Sequence, residues 1–195
     1  MVNPVDGAAR VGEYGHPIYP LLVNPWALAD FEVIPDPLWR PVLRRLDCGL
    51  VVAYAFDEGS QWSYVAEAVA RQIGHSPETL HDEAMTWLGQ VELRAESGGG
   101  RVRIQLPEGR EDLTASLILR GRDLAAAFGG LVDGPLVVGI GHRVELMICS
   151  RDDTGAVDGL RELSLALYAG EGAGKPVSAE LLTLDTDGTI GVLPG

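Results

Sequence analysis

The apolar residues of this chain fall into short blocks, and the spacing within a block changes from one to the next. Leu50-Val51-Val52-Ala53-Tyr54-Ala55-Phe56 is continuous and β-prone, which predicts a strand covered on both faces. Asp57-Glu58-Gly59-Ser60 turns the chain, and Trp62 to Val65 reads as a short second strand. Val65, Val69 and Ile73 then recur at every fourth position beside Ala66 and Ala70, which is one face of a helix ended by Gly74. On its wet side Glu67 and Arg71 are placed to pair across one turn. The next helix is marked more fully. Ser76 stands where an N-cap belongs, Pro77 at the first helical position and Glu78 in the first turn, and Leu80, Ala84, Trp87, Leu88 and Val91 trace its buried stripe. Val91-Glu92-Leu93-Arg94 and Arg101 to Leu106 alternate polar and apolar around Gly98-Gly99-Gly100, a hairpin with one wet face.

The second half repeats the mixture. Leu113 to Leu119 reads as a strand, Leu124, Ala127, Phe128 and Leu131 as a short amphipathic helix, and Pro135 to Ile140 as a fully apolar strand. Val144, Leu146 and Ile148 alternate with Arg143, Glu145 and Met147, which predicts a half-exposed strand. Leu160, Leu163 and Leu167 mark a last helix ended by Gly170, with Gly170 to Lys175 as a linker. Leu181 to Leu184 and Thr189 to Leu193 close the chain as a hairpin about Asp185-Thr186-Asp187-Gly188. Hairpins interleaved among helices predict an α+β fold, with mixed, largely antiparallel sheets, about four helices and about eight strands.

Seven of the twelve prolines lie in the first 41 residues, which excludes a long helix or a central strand there. Ile18, Tyr19, Leu21, Leu22, Trp26, Phe31, Leu38 and Trp39 nevertheless make this stretch apolar. The expected organisation is a proline-rich N-terminal arm, 1–45, packed on a single compact body, 46–195. Two halves of that body, 46–106 and 113–193, each offer a buried strand, a short helix and an alternating strand, although their spacings do not superpose.

Several segments together resemble the YtpQ-like family of bacterial proteins over residues 46–193. They are Leu50 to Asp57, Ser76-Pro77-Glu78-Thr79-Leu80 with Ala84 and Leu88, Ala115-Ser116-Leu117-Ile118-Leu119, Leu136 to Arg143, and Val177-Ser178-Ala179-Glu180-Leu181. That family tends to carry a proline and an Arg-Asp pair where this chain has Gly141 and Arg143-Val144; the nearest such pair here is Arg151-Asp152. The family has no established function, so the resemblance brings no catalytic residue with it.

Charge narrows the partners. The 195 residues carry 28 acidic against 15 basic side chains, a net charge of −13, and no polybasic stripe, which excludes a nucleic-acid backbone and an anionic membrane surface as expected partners. Runs without polar side chains stay short, eight residues each at Gly49–Phe56 and Gly134–Gly141 and nine at Leu124–Val132, far below the roughly 20 that a membrane helix needs. With no signal-like pattern at the start and only Cys48 and Cys149, the chain is expected to be cytoplasmic with both thiols reduced.

Local patterns that imitate active sites fail on context. Gly139-Ile140-Gly141 follows an apolar strand, but Val144 stands where a dinucleotide fingerprint has its third glycine, and no helix opens there. Gly170, Gly172 and Gly174 before Lys175 lead into Pro176 rather than a helix. Asp185-Thr186-Asp187-Gly188 has its glycine too early for a calcium loop. Ser97 joins two amphipathic strands and not the strand and helix of a nucleophile elbow. No catalytic, cofactor-binding or metal residue is assigned, and no cofactor is expected. His75, His81, Asp82 and Glu83 form a compact set of potential ligands, with a solvated helix face as the plainer explanation. Trp87 belongs to the buried stripe, while Trp26 and Trp39 are read as anchors of the arm in preference to contacts for a partner. Two function classes follow. The leading one is a non-enzymatic acidic domain that binds another protein, with the 91–106 hairpin offering an edge for strand addition. The other is a hydrolase in which Asp57, Glu58, Asp82 and Glu83 gather around a divalent metal.

Overall fold

The apolar run at 50–56 becomes the middle strand of a small sheet in the computed structural model, which describes residues 16–59, 61–130, 135–170 and 175–195. This strand, β3 (Val51–Asp57), is flanked on one side by β1 (Ile18–Val23) and on the other by β2 (Leu43–Arg45) and β4 (Trp62–Tyr64), all antiparallel to it. Both of its faces are buried, as a continuous apolar run requires.

β1 lies inside the proline-rich stretch and is buried along its whole length. It is an edge strand, which is how Pro20 fits. In an antiparallel strand the N–H and C=O of one residue point to the same side, and the side alternates along the chain. Leu22 turns both away from β3: its N–H donates to Ser116 Oγ (3.0 Å) and its carbonyl accepts from Arg143 Nε (3.2 Å). Pro20, two residues earlier, faces the same outward side, so its missing N–H removes no ladder bond. Residues 16–45 are thus built into the body through β1, the short helix α1 (Ala27–Glu32) and β2, while 1–15 lie outside the described residues.

The larger sheet has six antiparallel strands in the order β10-β9-β7-β8-β6-β5: β5 (Arg94–Gly98), β6 (Arg101–Gln105), β7 (Leu136–Gly139), β8 (Leu146–Ser150), β9 (Leu182–Leu184) and β10 (Ile190–Val192). The β5–β6 hairpin turns through Gly99 and Gly100, both at positive φ (59° and 75°), the conformation that a two-residue hairpin loop demands and glycine supplies. Because β6 pairs with β8, this sheet joins the 46–106 and 113–193 stretches.

Helices fill the space around the sheets. α2 (Glu67–Gln72) follows the Val65-Val69 pattern, and Arg71 reaches Glu67 at 3.3 Å. α3 (Pro77–Gly89) opens with a complete capping box: Ser76 Oγ accepts from Thr79 N–H, and Thr79 Oγ1 accepts from Ser76 N–H. Leu80, Ala84 and Leu88 of α3 share one buried cluster with Tyr54 and Phe56 of the small sheet and with Ile104, Leu146 and Ile148 of the large one. α4 (Gly121–Phe128) buries Leu124 and Phe128; Leu131, expected on the same face, lies outside the described residues. α5 (Thr154–Tyr168) covers the outer face of the large sheet and stops just before Gly170, which has φ +95°.

Three expectations need correction. The first strand of the 91–106 hairpin is Arg94–Gly98 and not Val91 to Arg94. Residues 113–119 are helical, not a strand: two 3-10 turns, Glu111–Leu113 and Ala115–Arg120, run between β1 and β8, with Thr114 N–H bonded to Glu111 O (2.9 Å) and Leu117 N–H to Thr114 O (3.2 Å). Leu113, Ala115 and Leu117 alternate with Thr114 and Ser116 as in a strand, but all five are buried, so the alternation does not mark a wet and a dry face. β8 is buried on both faces instead of half-exposed. Leu146 and Ile148 face the main core, while Met147 and Cys149 face a second cluster with Ala156 and Leu160 of α5. Five helices and ten strands are seen among the described residues, so the fold is α+β with antiparallel sheets.

Candidate functional site

The four carboxylates of the metal hypothesis occupy two different elements. Asp57 ends β3, where its Oδ1 accepts from Gly59 N–H (2.9 Å) and its Oδ2 lies 3.8 Å from Arg110. Glu58 follows it and accepts from Gln61 Nε2 at 2.7 Å. Asp82 and Glu83 lie on α3. Among the described residues no group of three or more His, Cys, Asp or Glu side chains is close enough to hold a metal ion. The geometry therefore does not gather Asp57, Glu58, Asp82 and Glu83 at one ion.

The histidines near α3 are engaged in pairs. His75 presents Nδ1 to the Ile73 carbonyl (3.1 Å) and Nε2 to Glu83 Oε2 (2.5 Å). That carboxylate–imidazole pair could orient a general base, but both ring nitrogens are occupied and no hydroxyl or thiol among the described residues bonds to them. His81 sits with Nδ1 3.0 Å from Tyr54 Oη. Burial, and then the Arg44 charge, hold the His81 imidazole below its ordinary range; burial likewise pushes the Tyr54 phenol up. A neutral His81 accepting the Tyr54 proton satisfies both shifts.

The glycine and aspartate patterns have local explanations. Gly139 and Gly141 lie where α5 presses on the β7 end of the sheet, a close approach that a side chain would block. Asp187 caps the β9–β10 turn: its Oδ1 accepts from Thr189 N–H at 2.9 Å, and this bond lowers the carboxyl below its usual range. Ser97 is in the exposed strand β5. Cys48 and Cys149 are both free thiols, Cys149 being buried in β8. Glu171 to Gly174 lie outside the described residues.

β5 is the outer strand of the large sheet and is exposed throughout. Among the described residues it pairs only with β6, which leaves its other edge open there. Its charges are paired locally, Arg94 with Glu92 (3.1 Å) and Glu96 with Gln105 (2.8 Å), and five charged or small residues make an edge of the type that resists pairing.

The segment from Trp26 to Trp39 differs from the rest of the surface. Trp26 is 74% exposed and Val33 77%, and Leu38 and Trp39 also stand out from the body. Trp26 meets the edge of Tyr168 at the end of α5 (ring centroids 5.7 Å apart), a contact that leaves most of the indole in water. Asp30, Glu32 and Asp36 lie between these apolar residues and are themselves exposed. Asp36 caps the short turn Pro37–Trp39 by accepting from Leu38 N–H at 3.0 Å, which holds Leu38 and Trp39 in place.

A cleft of about 890 Å³ opens between β4 and β6. Arg143, Val144 and Glu145 form one wall, and Lys175 is carried to its rim by backbone bonds from Arg143 N–H to Lys175 O (3.0 Å) and from Val177 N–H to Gly141 O (3.1 Å). Sequence reasoning passed over Arg143, since its acceptors, Leu22 O and Tyr64 Oη, are 121 and 79 residues away. Among the described residues no helix is long and apolar enough to cross a membrane. The chain matches no protein-family model, no curated protein and no solved structure.

Proposed function

We propose that this chain is a cytoplasmic protein-binding module whose contact surface is the segment from Trp26 to Trp39, and that its partner is a basic protein. The observation that carries the reading is the exposure of Trp26 and Val33, 74% and 77%, on a described surface that otherwise exposes few large apolar side chains. Isolated exposed leucines are ordinary, whereas an exposed tryptophan beside exposed valine, leucine and a second tryptophan has the composition of an interface anchor. Asp30, Glu32 and Asp36 rim these residues, and the whole chain is at −13, so a basic surface is attracted over long range and fits locally. Two free thiols support a reducing compartment.

Capture from a cell extract by the wild-type chain and by a Trp26→Ala, Val33→Ser variant tests this reading. Both side chains are largely in water, so the variant keeps the stability of the parent to within about 0.5 kcal/mol. The expected result is a basic protein held by the wild type, lost from the variant and released by salt. Identical capture by the two chains, or self-association through the same residues, contradicts it.

A further inference from the structure

The cleft between β4 and β6 contains cations in two different states. Arg103 grips Glu145 through Nε (3.0 Å) and Nη2, and Lys175 holds Asp112, so each of these charges is answered. Arg143 is 8% exposed, and among the described residues no carboxylate lies within ion-pair distance of it. Its Nε donates to the Leu22 carbonyl (3.2 Å) and its Nη2 to Tyr64 Oη (3.3 Å), both neutral acceptors. The Nη1 donors have no acceptor among the described residues. Nη1 is not among the fully buried atoms without a partner, so it opens onto the cleft, where an anion supplies the counter-charge that this largely buried guanidinium lacks.

Neighbouring groups suit such an anion. Tyr64 Oη accepts from Arg143, so its own proton is free to be donated. Thr114 lines the same cleft, is almost wholly buried and makes no side-chain hydrogen bond among the described residues. Ile104 and Trp62 supply an apolar wall, the indole being steadied edge-on by Tyr19 at 5.8 Å. We propose that this cleft binds the carboxylate of a small organic acid, with Arg143 as counter-charge, Tyr64 and Thr114 as further donors, and Trp62 against the apolar body of the acid. The planar carboxylate matches the guanidinium fork. A phosphate is disfavoured: Arg103 and Lys175 are already taken by Glu145 and Asp112, so Arg143 alone is left to answer a single negative charge, and Glu111 in the same lining opposes a second. The Trp26–Trp39 segment touches this site through Phe31, whose ring meets Tyr64 at 5.3 Å, but anion binding here does not require that surface to hold a partner.

Titration of the ¹⁵N-labelled full chain with 3-phenylpropanoate, its neutral amide and inorganic phosphate tests the proposal. The carboxylate is expected to shift the Arg143 Nε–H and Trp62 indole resonances saturably, with the amide and phosphate each weaker by about tenfold or more. Arg143 also ties β1 to the rest of the body, so its removal risks unfolding. The variant Tyr64→Phe, Thr114→Val keeps the guanidinium and is expected to bind about tenfold more weakly with native spectra. Equal binding of the amide, equal binding of phosphate, unchanged affinity in the double variant, or no shift with the carboxylate overturns the assignment.

Discussion

Gly141 lies so close to Ser164 that a β-carbon on it would overlap the Ser164 carbonyl oxygen. Gly139 stands in the same relation to α5: a β-carbon there would sit 2.5 Å from Ser164 Oγ and 2.7 Å from Leu160 Cδ1. The glycines that imitate a nucleotide fingerprint are therefore the places where a helix crosses a sheet at minimal distance, and their chemistry is steric.

Alanine at either position is expected to lower unfolding free energy by about 1–3 kcal/mol, with Gly141→Ala the worse because it meets backbone and not a side chain. Ser164→Ala is expected to be neutral or mildly stabilising, since its buried Oγ has no hydrogen-bond partner among the described residues. Urea denaturation of the three variants measures this directly.

The two cysteines separate by reactivity. Burial, and then the Asp153 charge, push the Cys149 thiol up to about 11, so almost none of it is thiolate at neutral pH. Cys48 is half-exposed in the turn between β2 and β3. An aromatic disulfide reagent is expected to label one thiol rapidly in the native chain and the second only after denaturant is added.

His81 makes stability depend on acidity. Its proton is bound less readily in the folded chain than at the ordinary value of 6.5, so the unfolded chain takes up more protons as pH falls. This contribution to stability is fully present above pH 6.5 and is lost as pH drops through 6.5 towards the folded value. His81→Asn, which does not titrate, is expected to lose less stability than the wild type between about pH 7.5 and about pH 5.5. Parallel losses in the two chains contradict the assignment.

The α3 cap is expected to be worth its usual amount. Ser76→Ala removes the acceptor for Thr79 N–H and lowers stability by about 1 kcal/mol, measurable as a shift in the urea midpoint.

Much of the fold is legible in the residues because local signals agree. Ser76, Pro77 and the Leu80-Ala84-Leu88 stripe specify α3, and Gly99-Gly100 specifies the β5–β6 turn, without reference to anything distant. What escapes is set by partners far along the chain. β1 hides behind Pro20, whose tolerance depends on the strand being at an edge. The outer face of β8 reads as polar-alternating but is roofed by Ala156 and Leu160. The site follows the same division. The absence of a nucleophile motif is readable, whereas the unanswered charge of Arg143 exists only because β1, β4 and the loop after β7 converge. Trp26 could be singled out by composition, but its exposure is a property of where the β1–α1 turn leaves the body.

A photo-reactive phenylalanine analogue placed at Trp26, with a second chain carrying it at Ser97 on the β5 edge, tests the central claim most directly. Irradiation in cells is expected to join position 26 to a basic protein and to leave position 97 without that adduct. The same adduct at position 97 and none at position 26 would place the partner on the sheet edge and contradict the account.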